Sequence, residues 1–358
     1  MSSIPNLNTL RRGRGGPRLR GRRGGGTEGH NAEPSEAGSL DKIIQRTDND
    51  ASSSRLSAVE LGYLQDEYAR NLTTPGEAAP RRYPLINRGT YVRTEALDRL
   101  VFHFLRSTST RRQVISLGAG SDTRYFRLLA DFKDVVYHEL DFETNITAKR
   151  EAIDRSPLLA TRRRTLEAAG CAYYLHSVDL RDLRADSPVV LNGLEADIST
   201  LILSECCLCY LPHEEASAAL AYFTSRLSNA MALILYEPIR PHDAFGRTMV
   251  TNLASRGIHL QTVKRYASLE AQRQRLKQAG FTDLQGARDV FQIWSSDSWI
   301  TTTERERVER LEWLDEVEEW NLLASHYCIA WACRGKPTTS AWQHLQGDAT
   351  QDEMLKDE

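Results

Sequence analysis

The feature that most limits how this 358-residue chain can fold is an alternation. Short apolar runs at 113–117, "VVYHELDF" (135–142), "CAYYLHSVDL" (171–180), "TLILSEC" (200–206) and "ALILYEP" (232–238) are separated by stretches of helical character. The clearest of these is "PHEEASAALAYFTSRL", with Pro212 set for a first helical turn. Strands apolar along their whole length and spaced by helices predict a parallel sheet covered on both faces. "FTDLQGARDV" and "HYCIAWACRG" add two more strands, with a long charged helix expected between them over 303–323. In front, Leu56, Val59 and Tyr63 recur at helical spacing and predict a helix running to about Leu72. After the turn-rich "TTPGEAAPRRYP", Leu97, Leu100, Val101, Phe104 and Leu105 predict an amphipathic helix over 91–106. The expected fold class is α/β: a doubly wound, mostly parallel sheet with an N-terminal helical cap and a C-terminal helical insertion.

One such domain fits residues 51–336. Residues 1–50, with "RRGRGGPRLRGRRGGG" and few large apolar side chains, cannot bury enough surface to offset ordering and are expected to be disordered. That tail is either plainly solvated or able to touch RNA or an acidic partner. Residues 337–358 are expected to form a second flexible tail. The net charge of −2 gives the chain as a whole no nucleic-acid or membrane character, and no apolar run reaches the roughly 18 to 20 residues of a membrane span. The expectation is a cytoplasmic, monomeric protein, with the nucleus as an alternative location. Six cysteines show no CxxC spacing, and "SECCLCYL" holds three of them in one apolar run; they read as small core side chains in a reducing compartment, without a metal.

The strand at 113–117 runs into "LGAGSDT", the first strand-to-helix turn, where α/β sheets hold ligands. Gly118 and Gly120 let backbone approach a ligand, and the following helix is expected to offer free N–H groups. Thr123 stands where a dinucleotide site would have its third glycine, so the loop suits a smaller group, such as the aminocarboxypropyl end of S-adenosylmethionine. Asp141 ends the second strand, placed to accept from both hydroxyls of a ribose. With Asp179 at the end of the third strand and Glu205 at the end of the fourth, three carboxylates share one edge of the sheet.

"INRGTYVRTEALDRLVFHFL", "VISLGAGSDTRYFRL", "HELDF", "VDLRDL", "LILSECCLCYL" and "EPIRPHDAFGRTMVTNLASRG" together resemble the leucine carboxyl methyltransferases over about residues 50–336. The family's S-adenosylmethionine-dependent enzymes esterify the C-terminal leucine of protein phosphatase 2A catalytic subunits. The resemblance implies that Arg93 meets the cofactor's carboxylate, Gly118 cradles it, Asp141 takes the ribose, Asp179 and Leu180 line the adenine, and Glu205 meets the amino group. Arg55 stands where the family commonly has a cofactor-reaching lysine. Tyr210 either lines the leucine pocket or packs. No general base is implied, and the helices from Arg55 to Leu72 and over 91–106, with the insertion after Glu237, would wall the site. The resemblance leaves other readings open: the related methyltransferase of tRNA wybutosine synthesis, an O-methyltransferase of small carboxylates, and a non-catalytic phosphatase- or RNA-binding protein.

Overall fold

The computed structural model describes residues 36–73 and 81–345; the Arg/Gly-rich segment to residue 35, linker residues 74–80 and residues 346–358 lie outside it. In chain order the elements are α1 (Glu36–Gln45), α2 (Thr47–Glu60), α3 (Pro84–Arg106), β1 (Arg112–Leu117), α4 (Arg124–Leu128), β2 (Val135–Asp141), α5 (Glu143–Arg155), α6 (Pro157–Ala168), β3 (Ala172–Ser177), β4 (Ser199–Glu205) and α7 (His213–Arg226). There follow β5 (Met231–Pro238), α8 (Ala244–Ala254), α9 (Leu269–Gln278), β6 (Leu284–Asp289), α10 (Val290–Ser295), α11 (Thr302–Glu309), α12 (Val317–Ser325), β7 (Tyr327–Arg334) and α13 (Lys336–Trp342).

The strands form one seven-stranded sheet ordered β3-β2-β1-β4-β5-β7-β6. β1 to β5 pair in parallel, and β7 is antiparallel to both β5 and β6. Strand alternation splits the buried residues between two cores. Val114, Leu201 and Ile234 face Leu97, Leu100 and Phe104 of α3, whereas Ile115, Ile202 and Leu233 face Leu220 and Phe223 of α7. The expected α/β class, doubly wound and mostly parallel, is what the chain forms. Between β1 and β4 the strand order reverses, which opens a crevice at their carboxyl ends.

Four boundaries differ from the sequence reading. Residues 36–50 are helical, held by ion pairs of Asp41 with Arg181 (2.7 Å) and Asp50 with Arg256 (2.6 Å), so the cap begins well before residue 51. The helix expected to reach Leu72 stops at Glu60, because Gly62 turns the chain at φ +83° and brings Tyr63 and Leu64 into the core. α3 starts at Pro84 rather than near residue 91, the fixed φ of proline suiting a first helical position. Its 23 residues span about 34 Å. The single helix expected over 303–323 is two, α11 and α12, and the break between them lets Trp320 turn inward to complete burial.

The expected tail after residue 336 also needs correction, for residues 337–345. α13 packs on α3, Trp342 is fully buried, and its indole N–H donates to the Leu100 carbonyl at 3.1 Å. Among the described residues no helix is long and apolar enough to cross a membrane.

Candidate active site

The crevice at the carboxyl ends of β1 and β4 opens into a cavity of about 550 Å³. Arg55, Arg93, Gly118, Asp141, Asp179, Leu180, Glu205 and Tyr210 all line it. They come from α2, α3, the loop after β1, the ends of β2 and β4, and the turns after β3 and β4, so residues spread over 156 positions converge through topology.

The glycine loop is built for close approach. Gly118 sits at φ +62°, and a Cβ there would lie 2.5 Å from the Cys207 sulfur. Gly120, at φ +45°, has Asp48 where its Cβ would be. The N–H groups of the loop itself are taken up within the protein. Gly118 and Ala119 N–H donate to the Leu140 carbonyl (2.8 and 3.3 Å), Gly120 N–H to Asp141 Oδ2 (2.8 Å) and Ser121 N–H to Asp48 Oδ1 (2.8 Å). α4 behind it has only five residues and opens on a buried arginine. The loop therefore offers shape, and its N–H groups are spent on the Leu140 carbonyl and the protein's own carboxylates.

Asp141 also accepts from Phe142 N–H (2.7 Å) and Asn145 Nδ2 (2.9 Å) through Oδ1, so its carboxylate is fixed in place with lone pairs to spare for a diol. Burial pushes its pKa up, against the pull of those donors. Asp179 lies two residues beyond the end of β3 rather than ending it. It caps a short turn at 180–182 and grips Arg181 with both oxygens, the nearer at 2.5 Å. Leu180 is buried beside it.

Glu205 accepts from Arg93 Nε and from Arg124 Nη1 (2.6 Å). Burial alone would raise its pKa; the Arg124 and Arg93 guanidiniums overcome this and hold it down at about 2. Arg93 lies mid-helix in α3, not at a helix start, with its guanidinium 4.8 Å over the Tyr236 ring. Among the described residues its two terminal nitrogens make no hydrogen bond, so they remain available to a ligand carboxylate. Arg55 is turned toward Asp66 (3.2 Å), and burial followed by the nearby Arg127 and Arg124 charges lowers its pKa. Tyr210, in the turn at 208–210, borders the cavity near Tyr236 and Tyr327, whose rings stack at 5.6 Å.

Several participants were not read from the sequence. Arg124, with no exposed surface, binds Asp98 (2.7 Å), Asp122 (2.9 Å) and Glu205 at once. Arg127 extends this to Asp98 (2.7 Å) and Asp66 (3.3 Å). The result is a network of alternating charge beneath the loop that fixes Glu205. Asp41, Asp48 and Asp50 reach the cavity from α1 and α2, and Arg256 reaches it from just beyond α8. The sequence signal for Asp48 and Asp50 was the acidic "TDND", hidden by the Arg/Gly-rich composition before it.

The donor set fits a nucleoside bearing an amino acid: a carboxylate against a diol, an apolar slot beside a capped turn, and an arginine–glutamate pair facing opposite charges. A family model described as leucine carboxyl methyltransferase matches residues 44–224. A "Leucine carboxyl methyltransferase 1" of Aspergillus fumigatus is 49% identical over 398 residues, covering 97% of this chain and 98% of the relative. The protein of the same name in Yarrowia lipolytica is 40% identical, covering 82% of this chain and 97% of its own. A human "tRNA wybutosine-synthesizing protein 4" is 37% identical over 82% of this chain but only 44% of its own length.

Proposed function

We propose, from the premise that this chain belongs to the leucine carboxyl methyltransferase family, that it moves a methyl group from S-adenosylmethionine onto the α-carboxylate of a C-terminal leucine in protein phosphatase 2A catalytic subunits. It does so as a cytoplasmic monomer that grips the phosphatase tail. The observation that carries the reading is the convergence of all eight nominated residues on one cavity. When bound, S-adenosylmethionine supplies an electrophilic methyl group on a sulfonium.

The chain's own residues then bind and orient. Asp141 takes the ribose hydroxyls, Leu180 packs on the base, Arg93 meets the cofactor's carboxylate with its unused nitrogens, and Glu205 meets the amino group. A terminal α-carboxyl has a pKa of about 3.3 to 3.7, so the acceptor is an anion at neutral pH and needs no general base. Glu139 is raised to about 7 by burial against the opposing Lys149 charge. It is fully buried, paired with Lys149, and does not line the cavity. What remains for the chain is alignment and exclusion of water, effects worth up to roughly 7 to 11 kcal/mol in favourable systems. α2, α3 and α8 supply the walls for both.

The test is transfer of labelled methyl to a catalytic subunit ending in leucine. Base-labile label on the free terminus, and none on an amidated one, is the expected result. Base-stable label, or label on the amidated tail, overturns the ester reading. The human relative favours one other substrate, an RNA intermediate of wybutosine synthesis. Label entering such an RNA and not the phosphatase would establish that reading in place of this one.

A further inference from the structure

The cavity's charge is poorly matched to one of its two ligands. Carboxylates from eight residues line it, against guanidiniums from four: Arg55, Arg93, Arg181 and Arg256. Such walls favour a sulfonium and repel an acceptor carboxylate, so the acceptor needs a local cation. Three of the four are committed, Arg93 because its open nitrogens are assigned to the cofactor. Arg55 faces the buried Asp66, Arg93 is drawn to Glu205, and Arg181 is held by both Asp179 and Asp41.

Arg256 differs. Among the described residues its ion-pair partner is Asp50 alone, at 2.6 Å, and the Asp50 side chain is 44% exposed and shared with Arg82 (3.3 Å). Arg256 lines the same cavity as Tyr327, which stacks on Tyr236, the ring over which Arg93 lies. Arg93 is taken by Glu205 and the cofactor, which leaves Arg256 as the lining arginine with the weakest hold.

Resting on the function proposed above, we propose that Arg256 receives the acceptor's terminal carboxylate, and that Asp50, at the start of α2, holds that place until the acceptor displaces it. One acceptor oxygen stays on the guanidinium while the other is free to attack. The Asp50 carboxylate is thereby an internal competitor, and the segment that carries it also carries Asp48 onto the glycine loop.

The experiment uses the full chain with a phosphatase catalytic subunit. R256Q is expected to lower kcat/KM for the subunit about 10- to 100-fold, the loss typical of a charge-assisted bond, with cofactor Kd by calorimetry and Tm unchanged. R256K should recover part of the loss, and D50N should lower KM for the subunit. Unchanged kcat/KM in R256Q while the wild type is active overturns the role of Arg256 and leaves the function reading standing. An equal loss of cofactor affinity also overturns it. If R256Q does not fold, D50N decides: a KM that stays or rises overturns the displacement. A wild-type chain that puts no label on any phosphatase terminus fails at the function reading instead.

Discussion

The two ends of the cavity are built from the same residue types in opposite ways. At the cofactor end, Arg124, Asp98, Asp122, Glu205 and Arg127 interlock in a mostly buried lattice of short ion pairs. At the acceptor end, Arg256, Asp50 and Arg82 form single, partly exposed pairs between a short helix and the rest of the molecule. Buried charges that share partners cannot be removed singly without stranding another, whereas exposed pairs can part at little cost. One end is therefore a fixed template and the other a contact made to be exchanged.

Arg124→Met probes this difference with the largest effect. It leaves three carboxylates without their shared cation and should cost about 3 to 5 kcal/mol of unfolding free energy in urea titration; a loss below 1 kcal/mol, on the order of a surface pair, would erase the contrast between the ends. Asp141→Ala should weaken S-adenosylmethionine binding by about 1.5 to 3 kcal/mol in calorimetry, through loss of a charged acceptor, and unchanged affinity would remove Asp141 from the site. Gly118→Ala strains a left-handed residue and drives a methyl group against Cys207; it should cost about 1 to 3 kcal/mol of stability and lower cofactor affinity as well.

Acid sharpens the comparison more gently. Glu205 is held at about 2 in the fold against an ordinary 4.5, so below 4.5 the unfolded chain takes up the proton first. The stability that Glu205 contributes is complete above 4.5 and drains away as pH falls toward 2. Wild type should lose stability over that window, and Glu205→Gln should lose less, as read by urea midpoints. Smallest of all, Arg256→Gln should change unfolding free energy by no more than about 0.5 kcal/mol, because its pair is exposed, even though it acts on the acceptor.

What could be read from the sequence follows the same division. Gly118, Asp141 and Glu205 sit at strand ends, where local pattern dictates position, and they fall where expected. Asp179 missed by two residues because β3 stops early at Ser177 and the turn that follows is set by the Asp179 side chain itself. Arg124 drew no notice in the sequence; its burial depends on Asp98 from α3 and Glu205 from β4, which no local pattern reveals. Residues 36–50 were assigned to a tail because their anchors, Ser121, Arg181 and Arg256, are 73 to 206 positions away. The break at 310–316 was masked by a charge pattern that continues through it.

The sheet order carries a consequence in time. β7 is synthesised after β6, yet it lies inside the sheet, between β5 and β6. Until the ribosome has released it, β6 has no neighbour to pair with and the crevice has no Tyr327. α13, later still, is what covers the back of α3, the helix carrying Arg93. A nascent chain can assemble β1 to β5 with their glycine loop and acids early, but Tyr327 on the cavity wall and the support behind α3 arrive last. An unfinished chain therefore exposes its cofactor edge without the means to use it.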